Sequence, residues 1–497
     1  MSACTGNDDE KEPATAPPVI YNKVELLSVS FHTSDNDTQL LEDVECSIVG
    51  DSIVECWMPD FMPDKRLVPR FEFSGEYVCI DGRQALSGQT AFDFRTPIEL
   101  RVFGGQFSKR YVVYVHSFTG LPVMWIDTEN HQTITSKDEY LHAHFRLLDD
   151  VSTTHATSRI IDDDVNIKGR GNSTWFMPKK PYLLKFEKDV SLLSEPFTKS
   201  WVLINNYSDK TMLRNSVAFY MSSISKLVYT PRTHFVELIL NGEHNGTYLL
   251  SEKLNLDRIR DKFGFDDFLL QIDARAADDD ITFHVPHIHH PIALEDTDDD
   301  VSEESLAYIK RFLNEADSVL FSDNYTDPVS GWQRYIDVPS FVDWYLINEI
   351  ARNNDALFFS SCYMSLRIGG KLRMGPVWDF DIAFGNINYD DNFLPEGFWI
   401  SRTPWFRRLL SDPVFMARVK QRFDYFYSRK SDIMHFIDLN AEYLTRSVQE
   451  NEKIWHTLNK AVWPNYKVLG NYPDEVKELK DWLNTRLDWM KSEYDKK

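Results

Sequence analysis

The prevailing period of the apolar residues shifts from strand to helix past Asp257 of this 497-residue chain, and that shift limits the fold more than any motif does. From Val24 to Ser251 short segments alternate apolar and polar residues, separated by turn residues such as Asp81-Gly82 and Gly104-Gly105. A period of two presents one face of a strand to a core. After Asp257 the spacing becomes mostly helical, in Leu306–Ala316, Ser340–Ala351 and a long run from Trp405 to Tyr494. The expectation is an α+β protein: an N-terminal antiparallel β-sandwich, then a domain of two lobes, the first β-rich and the second helical.

Residues 1–18 lack apolar periodicity and end in Pro-Ala-Thr-Ala-Pro-Pro, so they read as a tether. Residues 19–117 carry the sandwich pattern, in Val24–Phe31, Phe71–Phe73, Tyr77–Ile80, Ile98–Phe103 and Tyr111–Val115. They resemble the immunoglobulin-like modules that precede catalytic domains on bacterial surfaces. No polar constellation there carries chemistry, which makes the module a spacer or a docking element, and Cys46, Cys56 and Cys79 read as small buried hydrophobes.

Residues 118–497 form the main domain. A second, separate sheet runs through Gly120–Ile126, Leu141–Leu147, Asp164–Gly171 and Tyr182–Glu187. One helix, Lys210–Ile224, interrupts it before strands return at Phe235–Leu240 and Thr247–Ser251. An acidic stretch dotted with His284, His287, His289 and His290 has irregular spacing, and it reads as a solvated insertion rather than a metal site.

A hydrophobic share of 42%, with 33 Phe and 13 Trp, excludes a disordered chain. A net charge of −23 without a clustered basic patch argues against nucleic-acid binding, because counterion release needs clustered Lys and Arg. No apolar run approaches the ~18–20 residues of a membrane-spanning helix. The opening Met-Ser-Ala-Cys4, followed by a polar acidic stretch, looks like the mature start of a bacterial lipoprotein. On that reading the protein is extracytoplasmic, anchored at the outer membrane or cell surface through a lipidated Cys4.

Three segments carry chemistry. Lys168-Gly-Arg170-Gly-Asn-Ser173-Thr-Trp reads as a strand followed by a glycine-rich turn, which can bring backbone N–H groups to phosphate oxygens or simply form a tight hairpin. The strand after it alternates, so that Leu183, Lys185 and Glu187 share a face and Lys185 is free to project into a cleft. Asp355 follows a helix in Arg-Asn-Asn-Asp, either as an oriented carboxylate or as a polar helix stop. Gly375-Pro-Val-Trp-Asp379-Phe-Asp381 sets two carboxylates on one face of an extended apolar run. Their desolvation calls for a cation, and Mg²⁺ or Mn²⁺ held together with substrate phosphates fits best.

Five blocks resemble the CotH kinase family and occur in its order: Gly-Arg-Gly-Asn-Ser-Thr-Trp175, Lys179-Lys-Pro-Tyr-Leu-Leu-Lys-Phe, Trp201–Asn215, Asn241–Glu252 and Gly-Pro-Val-Trp-Asp379-Phe-Asp381. The resemblance implies a secreted kinase-like domain that binds ATP with a divalent metal and phosphorylates Ser or Thr of protein partners. Asp355 would then orient and deprotonate the acceptor hydroxyl, and Asp379 and Asp381 would hold the metal. Lys185 would steady the α- and β-phosphates, with Arg170 and Ser173 beside them. Glu252 would lie near the adenine or pair with Arg214 or Lys185. The His-Arg-Asp loop and the Asp-Phe-Gly of ordinary protein kinases are missing. A catalytically idle surface adhesin and a metal-dependent phosphohydrolase or nucleotidyl transferase are the rival readings.

Overall fold

The computed structural model describes residues 23–37, 40, 43–58, 65–117, 119–148, 160–255, 267–277, 280–295 and 301–496. The tether with Cys4 and the acidic run 296–300 lie outside them. The chain is a mixed α+β protein that divides into two compact units, Met1–Phe118 and Thr119–Lys497.

In the first unit a three-stranded sheet centres on Glu25–Phe31, and a six-stranded sheet centres on Ile98–Gly104 and Phe107–Ser117. Alternate residues of Ile98–Gly104 are buried, and they join Val29, Phe31 and Phe71 of the other sheet in one core. The pairing is not purely antiparallel as expected, since Phe107–Ser117 runs parallel to Ile53–Met58. The cysteine expectation also needs correcting. Ser47–Val49 and Ile53–Met58 fold back on each other as neighbouring antiparallel strands, which brings the Cα atoms of Cys46 and Cys56 to 4.5 Å, and the two form a disulfide. Cys79 is free and partly buried.

The second unit opens with strands that do more than form the expected sheet, for they close into a seven-stranded barrel. Its order is Val123–Thr128, Leu141–Leu148, Ile160–Gly169, Tyr182–Val190, Thr198–Ile204, Glu243–Glu252 and Thr233–Leu240. The last of these runs parallel to the first and closes the ring. Closure follows from the alternation. Met124, Ile126, Phe145, Leu184, Phe186, Leu238 and Tyr248 all point to one interior, and a closed ring leaves no edge to solvate. The expected inserted helix is Arg214–Ser223.

Beyond the barrel the structure departs from a mostly helical reading. A five-stranded sheet forms from Thr282–Val285, Ile288–Glu295, Asp267–Ile272, Cys362–Arg367 and Arg373–Met374. The His-dotted stretch is therefore strand rather than insertion. Val285, Ile288 and Ile292 are buried, and His287 bonds Asp317 at 2.9 Å. Irregular histidines masked a short apolar alternation there.

The central helix, Val338–Ala351, is buried on every side from Ser340 to Ala351. Asp337 caps it by accepting from the N–H of Ser340. The helices Glu303–Leu320, Pro404–Leu410, Pro413–Ser428, Lys430–Trp455 and Tyr472–Lys496 accompany it, and all of them contribute to one large apolar core.

Candidate functional site

The Gly169-Arg170-Gly171 turn leaves the barrel strand Ile160–Gly169 in a shape that only glycine permits. A Cβ on Gly169 would lie 2.2 Å from the Trp175 ring, and Gly171 has φ +80° with Thr174 Oγ1 2.4 Å from where its Cβ would be. The Arg170 N–H donates to the Pro181 carbonyl at 3.2 Å, and Lys137 Nζ donates to the Gly171 carbonyl at 3.1 Å. The turn is thus fixed from both sides, and its backbone faces a cleft of about 420 Å³.

Across that cleft the central helix ends at Arg352, whose left-handed backbone (φ 50°) turns the chain out of the helix. The Arg352 guanidinium is anchored by the carbonyls of Asp391 at 2.8 Å and Leu394 at 2.6 Å. Asn353 and Asn354 follow, and then Asp355, which lines the cleft. The segment carrying Asp379 is irregular rather than a strand, and Asp379 itself has φ 66°. Asn215 accepts from the N–H of Phe380 at 2.8 Å, and Asn353 Nδ2 donates to the Asp379 carbonyl at 3.2 Å. These amides hold a strained turn of the kind that surrounding structure must over-determine.

Asp355, Asp379 and Asp381, far apart in sequence from the glycine turn, thereby face it across one cavity, together with Asp273 and Arg275. Asp381 is 8% exposed and accepts from Ser208 Oγ at 3.2 Å. Burial, reinforced by the charges of Asp379 and Asp355, pushes its carboxyl well above the usual range. Burial and the charge of Asp379 likewise push Asp355 up to about 7. Burial lowers the pKa of Arg170, while Asp379 and Asp381 act to keep it charged, and its guanidinium lies 5.8 Å from the Trp378 ring centroid.

Of the residues expected at the site, Asp355, Asp379, Asp381, Arg170 and Ser173 meet in this cleft. Lys185 and Glu252 are not among the residues that line it. Lys185 shares the outer face of its strand with Leu183, which does line the cleft, but it lies two residues further along and is exposed. Glu252 is buried and accepts from the N–H of Arg232 at 3.1 Å. Arg214, its suggested partner, instead forms a buried ion pair with Asp209.

Several lining residues went unread in the sequence. Lys137 and Asp138 come from a loop before the second barrel strand. Asp273 and Arg275 follow a strand in the segment read as mostly helical, and Tyr389 and Trp463 come from loops. No spacing signal joins them. The block Trp201–Asn215 did contain Asn205 and Asn215, which also line the cleft.

The carboxylates suit a divalent cation. Asp381 and Asp355 are held toward protonation largely by desolvation and by the charge of Asp379, and a cation between carboxylates removes that penalty. Among the described residues no group of three or more His, Cys, Asp or Glu forms a ligand set by itself.

No curated protein matches the chain. Among solved structures, a putative glycoside hydrolase from Bacteroides thetaiotaomicron is similar at 14% identity, with a TM-score of 0.14 that carries no argument. The likeness covers 45% of this chain and 44% of that one, so the chain spans less than half of that protein's length. A family model described as CotH kinase protein matches residues 167–490, from the strand that feeds the glycine turn to the last helix. With a match over most of its length that takes in every predicted site residue, the chain belongs to the CotH kinase protein family.

Proposed function

We propose that this protein is an extracytoplasmic, atypical protein kinase that transfers the γ-phosphoryl group of ATP to Ser or Thr of a protein acceptor. The single observation that carries the reading is the convergence of three carboxylates on a glycine turn flanked by Lys168, Arg170 and Lys137 in one cleft. The barrel then plays the part of a first, β-rich lobe and the helical region that of a second, as in a kinase-like fold.

The basic side chains would take the ATP phosphates, with Ser173 beside them. Asp379 and Asp381 would hold Mg²⁺ or Mn²⁺, which neutralises charge on the phosphates when bound. Asp355 orients the acceptor hydroxyl and takes its proton as the oxygen bonds to the γ-phosphorus and the bond to ADP breaks. A carboxyl near 7 is matched to that task, because a general base works best with a pKa close to the working pH. Little covalent chemistry is asked of the protein, so orientation and charge supply the rate.

The extracytoplasmic location agrees with the Cys46–Cys56 disulfide, a bond that persists in oxidising compartments. We read Cys4 as the lipidated anchor and the N-terminal unit as an immunoglobulin-like spacer.

Calorimetric titration of ATP with and without Mg²⁺ or Mn²⁺ tests the site. Metal-dependent binding that disappears in Asp379→Ala is expected. Equal affinity in that variant, or no binding under any condition, rejects the kinase reading.

A further inference from the structure

The helix Arg214–Ser223 has two working faces. Arg214 and Asn215 serve the catalytic side, where Asn215 holds the turn of Asp379. Ser216, Phe219, Tyr220 and Ser223 line a second cavity, of about 770 Å³, which the kinase chemistry does not use. Its volume lies within the ~300–1,000 Å³ typical of small-molecule sites.

Three features of this cavity define a ligand. Its aromatic side chains include Tyr220, stacked on Phe436 with ring centroids 4.4 Å apart, and Tyr443, which is 48% exposed. Aromatic rings with hydroxyl tips offer flat apolar faces beside hydrogen-bonding groups. The charges at its rim are matched among themselves, since Glu195 takes Arg232 at 2.8 Å and His234 at 2.8 Å, one on each oxygen. A site without an uncompensated charge selects a neutral ligand over a phosphate or a carboxylate. Finally, Ser216 is 4% exposed, and its Oγ has no hydrogen-bond partner among the described residues. A buried hydroxyl without a partner costs stability unless something satisfies it.

The barrel strand that borders the cavity, Thr233–Leu240, is paired along its length with Glu243–Glu252, and from Glu237 onward also with Val123–Thr128. We propose that the cavity is a second binding site and that its ligand is a neutral saccharide, whose ring C–H face packs on Tyr443 or Tyr220 while its hydroxyls meet Ser216, Asn440 and the Arg232–Glu195 pair. This site is independent of the kinase reading.

Saturation-transfer NMR on the full chain tests the proposal, with maltose, cellobiose and N,N′-diacetylchitobiose as probes and N-acetyltryptophanamide as the peptide-like control. At least one disaccharide is expected to bind. Tyr443→Ala, at an exposed position, should weaken that binding at least tenfold without lowering Tm. Ser216→Ala should weaken it about threefold or more while leaving Tm unchanged or raised, an outcome that a purely structural serine would not produce. The proposal is overturned if none of the sugars binds, if binding survives both substitutions, or if the tryptophan amide alone occupies the cavity.

Discussion

Two groups of buried charge, one built on Glu349 near the end of the central helix and the other on Asp355 just past it, behave in opposite ways. Glu349 and Arg486 are both fully buried, and every part of the pair is answered. Arg486 donates to Glu349 Oε1 at 2.8 Å, to the Glu349 carbonyl, and to the carbonyls of Pro395 and Gly397, while the N–H groups of Trp399 and Ser401 donate to the Glu349 carboxylate. Just past the end of the same helix, Asp355, Asp379 and Asp381 repel one another, and burial and mutual charge raise two of them. A matched buried pair holds the fold in place, whereas an unmatched cluster stores a demand for a cation or a proton, and that demand marks a site.

The sharpest way to break the comparison is to unmatch the matched pair. Arg486→Met strands Glu349 in the core and should cost about 3–5 kcal/mol in chemical denaturation. Adding Glu349→Leu should recover much of that loss. If Arg486→Met is neutral, the pair does not hold the helices.

The opposite operation removes charge from the cleft. Asp355 titrates near 7 in the fold and near 3.8 when unfolded. Its protonation therefore stabilises the fold fully below about pH 4, and that contribution is lost as pH rises through 7. Asp355→Asn should flatten the metal-free stability profile between pH 4 and 8 by about 2 kcal/mol, less than the full shift implies because the group is partly exposed to solvent. It should also abolish phosphoryl transfer. Parallel profiles for wild type and variant would show that Asp355 carries no stored demand.

Gly169→Ala probes the wall facing the carboxylates. Its Cβ has no room beside Trp175, so the turn must shift, at about 1–3 kcal/mol in stability and with at least tenfold weaker ATP binding by calorimetry. Wild-type affinity in this variant would remove the turn from the phosphate site. The smallest effect is expected at Lys185, which is exposed and outside the lining. Lys185→Ala should change ATP affinity less than about threefold, while Arg170→Ala loses at least tenfold. The reverse ranking would return Lys185 to the phosphates.

The local elements were largely legible in the sequence. Alternation marked the strands Phe235–Leu240 and Thr247–Ser251 within a few residues of their observed limits, and the helical spacing of Ser340–Ala351 marked the central helix. Where polar residues interrupted the pattern, the reading failed. His287 and His289 concealed the strand pairing Ile288–Glu295 with Asp267–Ile272, because one partner of a sheet does not reveal the other.

What this chain's sequence determined alone was residue chemistry and local period: the glycines of the turn, the three aspartates, and the switch from strands to helices. Only the tertiary structure decided that the strands close into a barrel, that Cys46 meets Cys56, that Asp273 and Arg275 join the cleft, and that Lys185 stays outside its lining. The physical reason is range. Period and turn chemistry act between neighbours, whereas desolvation, charge repulsion and ring closure depend on which distant segments the core brings together.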